Sequence, residues 1–227
     1  MSNPDPRARG GHLFVVAAPS GAGKTTLIEE LLHEEPSLVV SVSHTTRPKR
    51  ASETDGIHYH FVDEATFASL RDADEFLEWA RVFDHAYGTS RDTVVAKLAA
   101  GRDVILEIDW QGAAQIRQRH ADAVSIFVLP PSQTALIERL HARGQDRPEV
   151  IAKRLQQAVD DMSHHDEFDY LVVNDDFDDA VLRLRRIVQA TRDGEPLPKE
   201  DHSALLDELL RTPPVGKSGH DRATHRT

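Results

Sequence analysis

The chain has 227 residues, enough for one sizeable core with a small inserted domain and too few for two large ones. Its 39% hydrophobic and 29% charged residues are an ordinary globular balance, while a net charge of -11 argues against broad affinity for nucleic acid or anionic membrane. With no cysteine, disulfides, thiolate metal sites and cysteine catalysis are excluded.

Residues 1–10 are polar, carry Pro4 and Pro6, and read as a flexible N-terminus without the apolar stretch of a secretory signal. No apolar run approaches the length of a membrane span, which points to a soluble, cytoplasmic protein. His12 to Ala18 predicts a buried strand and Gly21 to Gly23 a turn. Leu27, Ile28, Leu31 and Leu32 recur at helical spacing between Lys24 and Glu35, where Pro36 stops the helix. Leu38 to Val42 predicts a second strand. Ser43 to Gly56 is a long polar loop carrying Arg47, Lys49 and Arg50, and loops of that length inside compact domains are usually functional. His58 to Val62 and Phe76 to Phe83 predict strand pieces around a short helix.

Beyond them, helices at Arg91–Ala100, Gln111–His120, after Ser132 to Arg143, Val150–His165 and Asp178–Arg192 are interspersed with strands at Asp103–Ile108, Ala123–Leu129 and Tyr170–Val173. Such alternation predicts an α/β fold, a parallel sheet covered by helices on both faces. A last helix pattern spans Ala204–Leu210, and the chain after Thr212 reads as disordered. The expected divisions are a core of residues 11–42 and 91–195, an inserted mixed α/β domain at 43–90, a helical lid at about 139–154 with a break at Gly144–Pro148, and a C-terminal helix and tail at 196–227.

Ala18-Pro19-Ser20-Gly21-Ala22-Gly23-Lys24-Thr25 lies between the first strand and the first helix, and matches the P-loop pattern except that Ala18 replaces the first glycine. Gly21 and Gly23 let the backbone curl so that successive N–H groups form an anion nest at a helix N-terminus. Lys24 would reach the β- and γ-phosphates, and the Thr25 hydroxyl would ligate Mg²⁺. A glycine-rich turn with a capping threonine has the same letters; the strand–loop–helix setting favours the phosphate site. Asp109 closes the apolar strand where this fold places a Mg²⁺-organising carboxylate, and two-residue spacing puts it on the same side as Glu107. His58/His60 and His164/His165 lack a third ligand at a suitable spacing, so no transition-metal site is expected.

A P-loop alone leaves hydrolysis, switching, motor work and kinase transfer open. The loop Ser43-His44-Thr45-Thr46-Arg47-Pro48-Lys49-Arg50-Ala51-Ser52-Glu53, followed by Tyr59, sets two arginines three apart, which suits a phosphate group or, on spacing alone, a solvated basic loop. Further blocks follow: Phe76-Leu77-Glu78-Trp79-Ala80, Tyr87-Gly88-Thr89, Leu106-Glu107-Ile108-Asp109-Trp110-Gln111-Gly112, Arg143-Gly144 through Lys153-Arg154-Leu155, and Val173-Asn174-Asp175-Asp176. In this order, over about residues 11–192, the blocks resemble the guanylate kinase family. Pro48 sits one place earlier than in the usual motif, and Ser52 stands where many members have glycine.

The resemblance implies transfer of a phosphoryl group from ATP to GMP and dGMP with Mg²⁺, held by Thr25 and by Asp109 directly or through water. It places Ser43, Arg47, Arg50, Tyr59 and Tyr87 on the GMP phosphate, with Glu53, Gly88 and Asp109 in the same site. Glu78, Thr89 and Glu107 would read guanine, whose N1–H and N2–H₂ donors suit an ionised carboxylate. Ala18 through Thr26 and Asn174 would bind ATP. Lys24, Arg47, Arg139, Arg143 and Arg154 would be the catalytic cations, with Arg147 the weaker candidate. Arg139 and Arg143 are four apart and share a helix face. A homo-oligomer is compatible with all of this; nucleic acid and membrane are not expected partners. Two alternatives remain. A related kinase for another phosphorylated small molecule, such as ribose 1,5-bisphosphate, has no use for Glu78 and Glu107. A non-catalytic scaffold module of the same fold would be expected to lack Lys24, Thr25 and the lid arginines.

Overall fold

The structure, a computed structural model, describes residues 10–82, 84–142 and 148–211. The readings for residues 1–9, Phe83, Arg143, the break at 144–147 with Arg147, and the tail at 212–227 lie outside the described residues.

The core strands are β1 (Leu13–Ala17), β2 (Leu38–Val40), β7 (Asp103–Glu107), β8 (Val124–Leu129) and β9 (Tyr170–Val173), all parallel in the order β2-β7-β1-β8-β9. Both faces of such a sheet must be covered, so alternate residues belong to different cores. Val15, Val104, Leu106 and Phe127 face α4 (Trp110–Arg119), α5 (Gln133–Ala142), α6 (Pro148–Ser163) and α8 (Ser203–Leu209). Phe14, Val16, Ile105 and Ile126 face α1 (Lys24–Glu34) and α7 (Phe177–Asp193). The expected layered α/β arrangement is therefore present.

The insert is a second sheet, ordered β4-β3-β6-β5, with β3 (His44–Thr45), β4 (His60–Phe61), β5 (Phe76–Val82) and β6 (His85–Ser90). Its small core, Phe67, Phe76 and Ala86, lies under α2 (Glu64–Asp72). Two differences from the sequence reading stand here. The polar loop contains a short strand, because β3 pairs with both β4 and β6. The single piece ending at Phe83 is one arm of a hairpin whose other arm, β6, carries Tyr87 and Thr89. Helix α3 (Arg91–Ala99) leads back to the core, capped by Ser90. The strand-to-helix switch after β7 is set by Asp109, whose carboxylate accepts the Gly112 N–H at 2.8 Å as N-cap of α4.

Candidate functional site

The loop after β1 turns on Gly21 and Gly23, with φ of 94° and 90°. A side chain at Gly23 would also put Cβ 2.4 Å from Asn174 Nδ2, so glycine is required there twice over. Helix α1 starts from Gly23 without a side-chain cap, which leaves its first N–H groups available to an anion. Lys24 Nζ donates to the Ile108 carbonyl at 2.8 Å, just past the end of β7. An ammonium has three donors, so this bond aims Lys24 and leaves two for phosphate oxygens. Thr25 Oγ1 donates to Glu107 Oε1 at 2.5 Å.

A second set of contacts converges on the Ala22 carbonyl. Asn174 Nδ2 donates to it at 2.7 Å and Arg139 Nη1 at 3.4 Å, while Arg139 Nη2 reaches the Asn174 carbonyl at 3.0 Å. The end of α5 is thereby tied to the P-loop. Arg154 stands half-buried on α6.

Across from the P-loop, the insert presents hydroxyls, rings and carboxylates. Glu78, on β5, is 3% exposed and accepts the Thr89 hydroxyl at 2.5 Å; Ser43 Oγ lies 3.5 Å from Thr89 Oγ1. Burial pushes the Glu78 carboxyl up to about 7, against the opposing pull of the Thr89 bond. The Arg47 guanidinium forks onto Glu53, at 2.7 and 3.1 Å, and lies 5.4 Å from the Tyr59 ring centre. That bond holds Glu53 below its usual carboxylate range and Arg47 above its usual value. Tyr59 meets Tyr87 edge-on at 6.0 Å, and burial, with the Glu107 charge, raises the Tyr59 phenol to about 12. The Tyr59 phenol therefore stays a protonated donor at neutral pH.

Four site residues stand differently from the sequence reading. Glu107 and Asp109 do not share a strand face, because β7 ends at Glu107 and Asp109 turns away to cap α4. Glu53 is tied to Arg47 and to the Arg50 N–H, the latter at 2.8 Å, so its carboxylate is engaged by partners within its own loop. Arg50 has its side chain 69% exposed, 4.0 Å from Glu53.

A family model described as guanylate kinase matches residues 10–191 of the chain. The guanylate kinase of Chromohalobacter salexigens is 54% identical over 200 residues, 88% of this chain and 93% of that protein. The guanylate kinase of Idiomarina loihiensis is 52% identical over 202 residues, 88% of this chain and 96% of its own. The chain belongs to the guanylate kinase family. A crystal structure of guanylate kinase from Anaplasma phagocytophilum superposes with a TM-score of 0.69 at 32% identity, covering 81% of this chain and 87% of that one.

Within this guanylate kinase fold some neighbours of the site carry no motif signal. Asp161, on α6, is partly buried, and that burial pushes its carboxyl up to about 6 against the Gln157 hydrogen bond, with the Asp109 charge adding to the rise. The readable hint was its place one turn from the core residue Ala158 on an amphipathic helix. Gln115 and Arg119, on α4, bond to the main chain of β5. Nothing in their spacing announces that contact.

Proposed function

We infer that the chain transfers the γ-phosphoryl group of ATP to GMP, giving ADP and GDP, and that the residues described above carry the reaction. The observation that carries the acceptor assignment is Glu78. A buried carboxylate beside Thr89, in a fold whose P-loop already serves one nucleotide, matches the two donors of guanine's pairing edge. Adenine presents an acceptor there and would leave the carboxylate unpaired, which in comparable sites costs about 10⁴-fold or more in selectivity.

The reaction needs two phosphates held in line and their charge neutralised. The P-loop N–H groups and Lys24 take the ATP phosphates. Ser43, Arg47, Arg50, Tyr59 and Tyr87 take the GMP phosphate, with Arg50 swinging in from solvent. An oxygen of that phosphate attacks the γ-phosphorus, and the bond to the bridging oxygen of ADP breaks. Arg139, Arg143 and Arg154 spread the developing charge when the lid closes, and closure excludes water as a competing acceptor.

Mg²⁺ fits the residues present. Its preferred ligands are oxygens, and the Thr25 hydroxyl and Asp109, directly or through water, offer them; Asp109 Oδ2 is buried without a hydrogen-bond partner. Among the described residues no cluster of three or more His, Cys, Asp or Glu is suited to a metal, in keeping with an ion held mostly by substrate phosphates. Bound there, Mg²⁺ would supply charge neutralisation between the β- and γ-phosphates. dGMP is a further expected acceptor, since every named contact is to base or phosphate. No described helix is long and apolar enough to cross a membrane, and the cytoplasm, where ATP is available, is the proposed location.

The test is ADP release with Mg-ATP and, separately, GMP, dGMP, AMP, UMP, dTMP and ribose 1,5-bisphosphate. GMP and dGMP should turn over at least about 10³-fold more efficiently than AMP. Equal use of AMP would overturn the guanine assignment, and no turnover with any acceptor would favour a binding module.

A further inference from the structure

Strand β5 lies at the edge of its sheet, paired with β6 on one side only. The N–H and C=O groups on its other side need partners, and an uncovered edge is a liability. Helix α4 of the core provides the cover. Gln115 Oε1 accepts the Trp79 N–H at 3.3 Å and Gln115 Nε2 donates to the Trp79 carbonyl at 2.7 Å, the reciprocal pair a neighbouring strand would make. One turn further, Arg119 Nη1 donates to the Leu77 carbonyl at 2.8 Å. Residues four apart on α4 thus grip residues two apart on β5, and Glu78 lies between the two gripped positions.

The helix also touches Glu78 itself. A Cβ at Gly112 would stand 2.4 Å from Glu78 Oε2, so the first turn of α4 lies against the carboxylate. That same turn begins at Asp109, directly after the Ile108 carbonyl that aims Lys24.

We propose that Gln115, with Arg119 as a second tether, is a positioning residue for base selection: it sets where Glu78 stands relative to the P-loop lysine, from the core rather than from within the insert. One rigid helix then registers the base reader of one substrate against the phosphate lysine of the other. The inference rests on Glu78 reading guanine, and it adds that the reading depends on α4.

The experiment compares GMP with inosine monophosphate, which keeps the N1–H but lacks the 2-amino group. Gln115→Ala removes both bonds, and Gln115→Met removes them while keeping a side chain of similar length. Each should raise KM for GMP about 10-fold, the scale of two ordinary hydrogen bonds, with kcat changed less than about 3-fold. KM for inosine monophosphate should rise less, so that the ratio of kcat/KM values falls about 5-fold. Arg91→Met is the control. It removes a bond to the Phe76 carbonyl of the same strand, at 3.2 Å, together with the contacts to Asp74 just before that strand, and should leave that ratio unchanged. If Gln115→Met lowers Tm while the ratio holds, the glutamine is structural and the proposal fails. A ratio that falls equally in Arg91→Met also overturns it, because any loosening of β5 would then suffice. Glu78→Gln separates the two levels. If it leaves the ratio untouched, the guanine reading itself is wrong and the inference goes with it. If it collapses the ratio while Gln115→Met does not, only the positioning role is lost.

Discussion

Around the P-loop, main-chain N–H groups at the start of α1 are left uncapped, and the cations beside them are moored on carbonyl oxygens: Lys24 on Ile108, Arg139 on Ala22 and Asn174. In the insert, side chains are moored on other side chains: Glu78 on Thr89, Arg47 on Glu53, Tyr59 against Tyr87. The first arrangement is set by backbone curvature and needs glycine at Gly21 and Gly23. The second is set by packing and charge compensation, and each member depends on its neighbour's chemistry. Substitutions should accordingly act locally on the donor side and spread through partners on the acceptor side.

The largest expected effect tests the independence of the two regions. Lys24→Ala should lower kcat by about 10²–10³-fold or more, as removal of a preorganised charge at a transition state does. Because Lys24 is moored on the main chain, GMP affinity measured by calorimetry should stay within about 3-fold. Loss of GMP binding along with transfer would show that the two regions are one.

Next in size is Glu78→Gln, which places an amide N–H₂ against guanine's donors. The kcat/KM for GMP should fall by about 10²-fold without a gain for AMP. The stability effect has the opposite sign. In the folded chain the carboxyl is pushed from 4.5 up to about 7, so folding favours its protonated form. That contribution is fully present below pH 4.5 and is lost as pH rises through about 7. Glu78→Gln should therefore raise Tm by several degrees at pH 8 and hardly at pH 4.5, by about 2–4 °C per kcal/mol in a chain of this size. Scanning calorimetry at the two pH values measures it; an equal shift at both would mean that Glu78 is not a buried, titrating group. GMP binding near pH 6.5 should release a proton, and Glu78→Gln should release less.

The difference between the regions also explains what the sequence made legible. The P-loop is a contiguous run whose glycines are demanded by backbone geometry, so its letters and setting suffice. The core strands show as apolar runs because both sheet faces are buried. The insert was harder. Strand β3 is two residues long inside a polar loop, and β6 has no apolar alternation to reveal it. Family resemblance brought Glu78, Thr89 and Ser43 into one site; their spacing alone could not, since they lie on three different strands or turns. Glu107 and Asp109 show the limit of periodicity: spacing of two holds only while the strand lasts, and it stops at Glu107. Gln115 was invisible because side-chain cover of a strand edge leaves no pattern in the sequence.

The smallest effect sharpens the comparison most, because it separates two carboxylates of the same region. The Arg47 bond depresses the Glu53 carboxyl, the opposite direction from Glu78. Its contribution is present above the ordinary carboxylate range and is lost only as pH falls through the lower folded value. Between pH 5.5 and 8 Glu53 should stay ionised. Glu53→Gln weakens the fork that aims Arg47, and should raise KM for GMP by about 3–10-fold with a smaller change in kcat. That factor should be constant across pH 5.5 to 8, whereas Glu78→Gln should change the shape of the profile near pH 7. Steady-state kinetics of both variants over that range decides it. A KM change in Glu53→Gln that grows or fades near pH 7 would mean that the phosphate anchor and the base reader titrate together, and the acceptor side would then be one coupled network rather than two moored pairs.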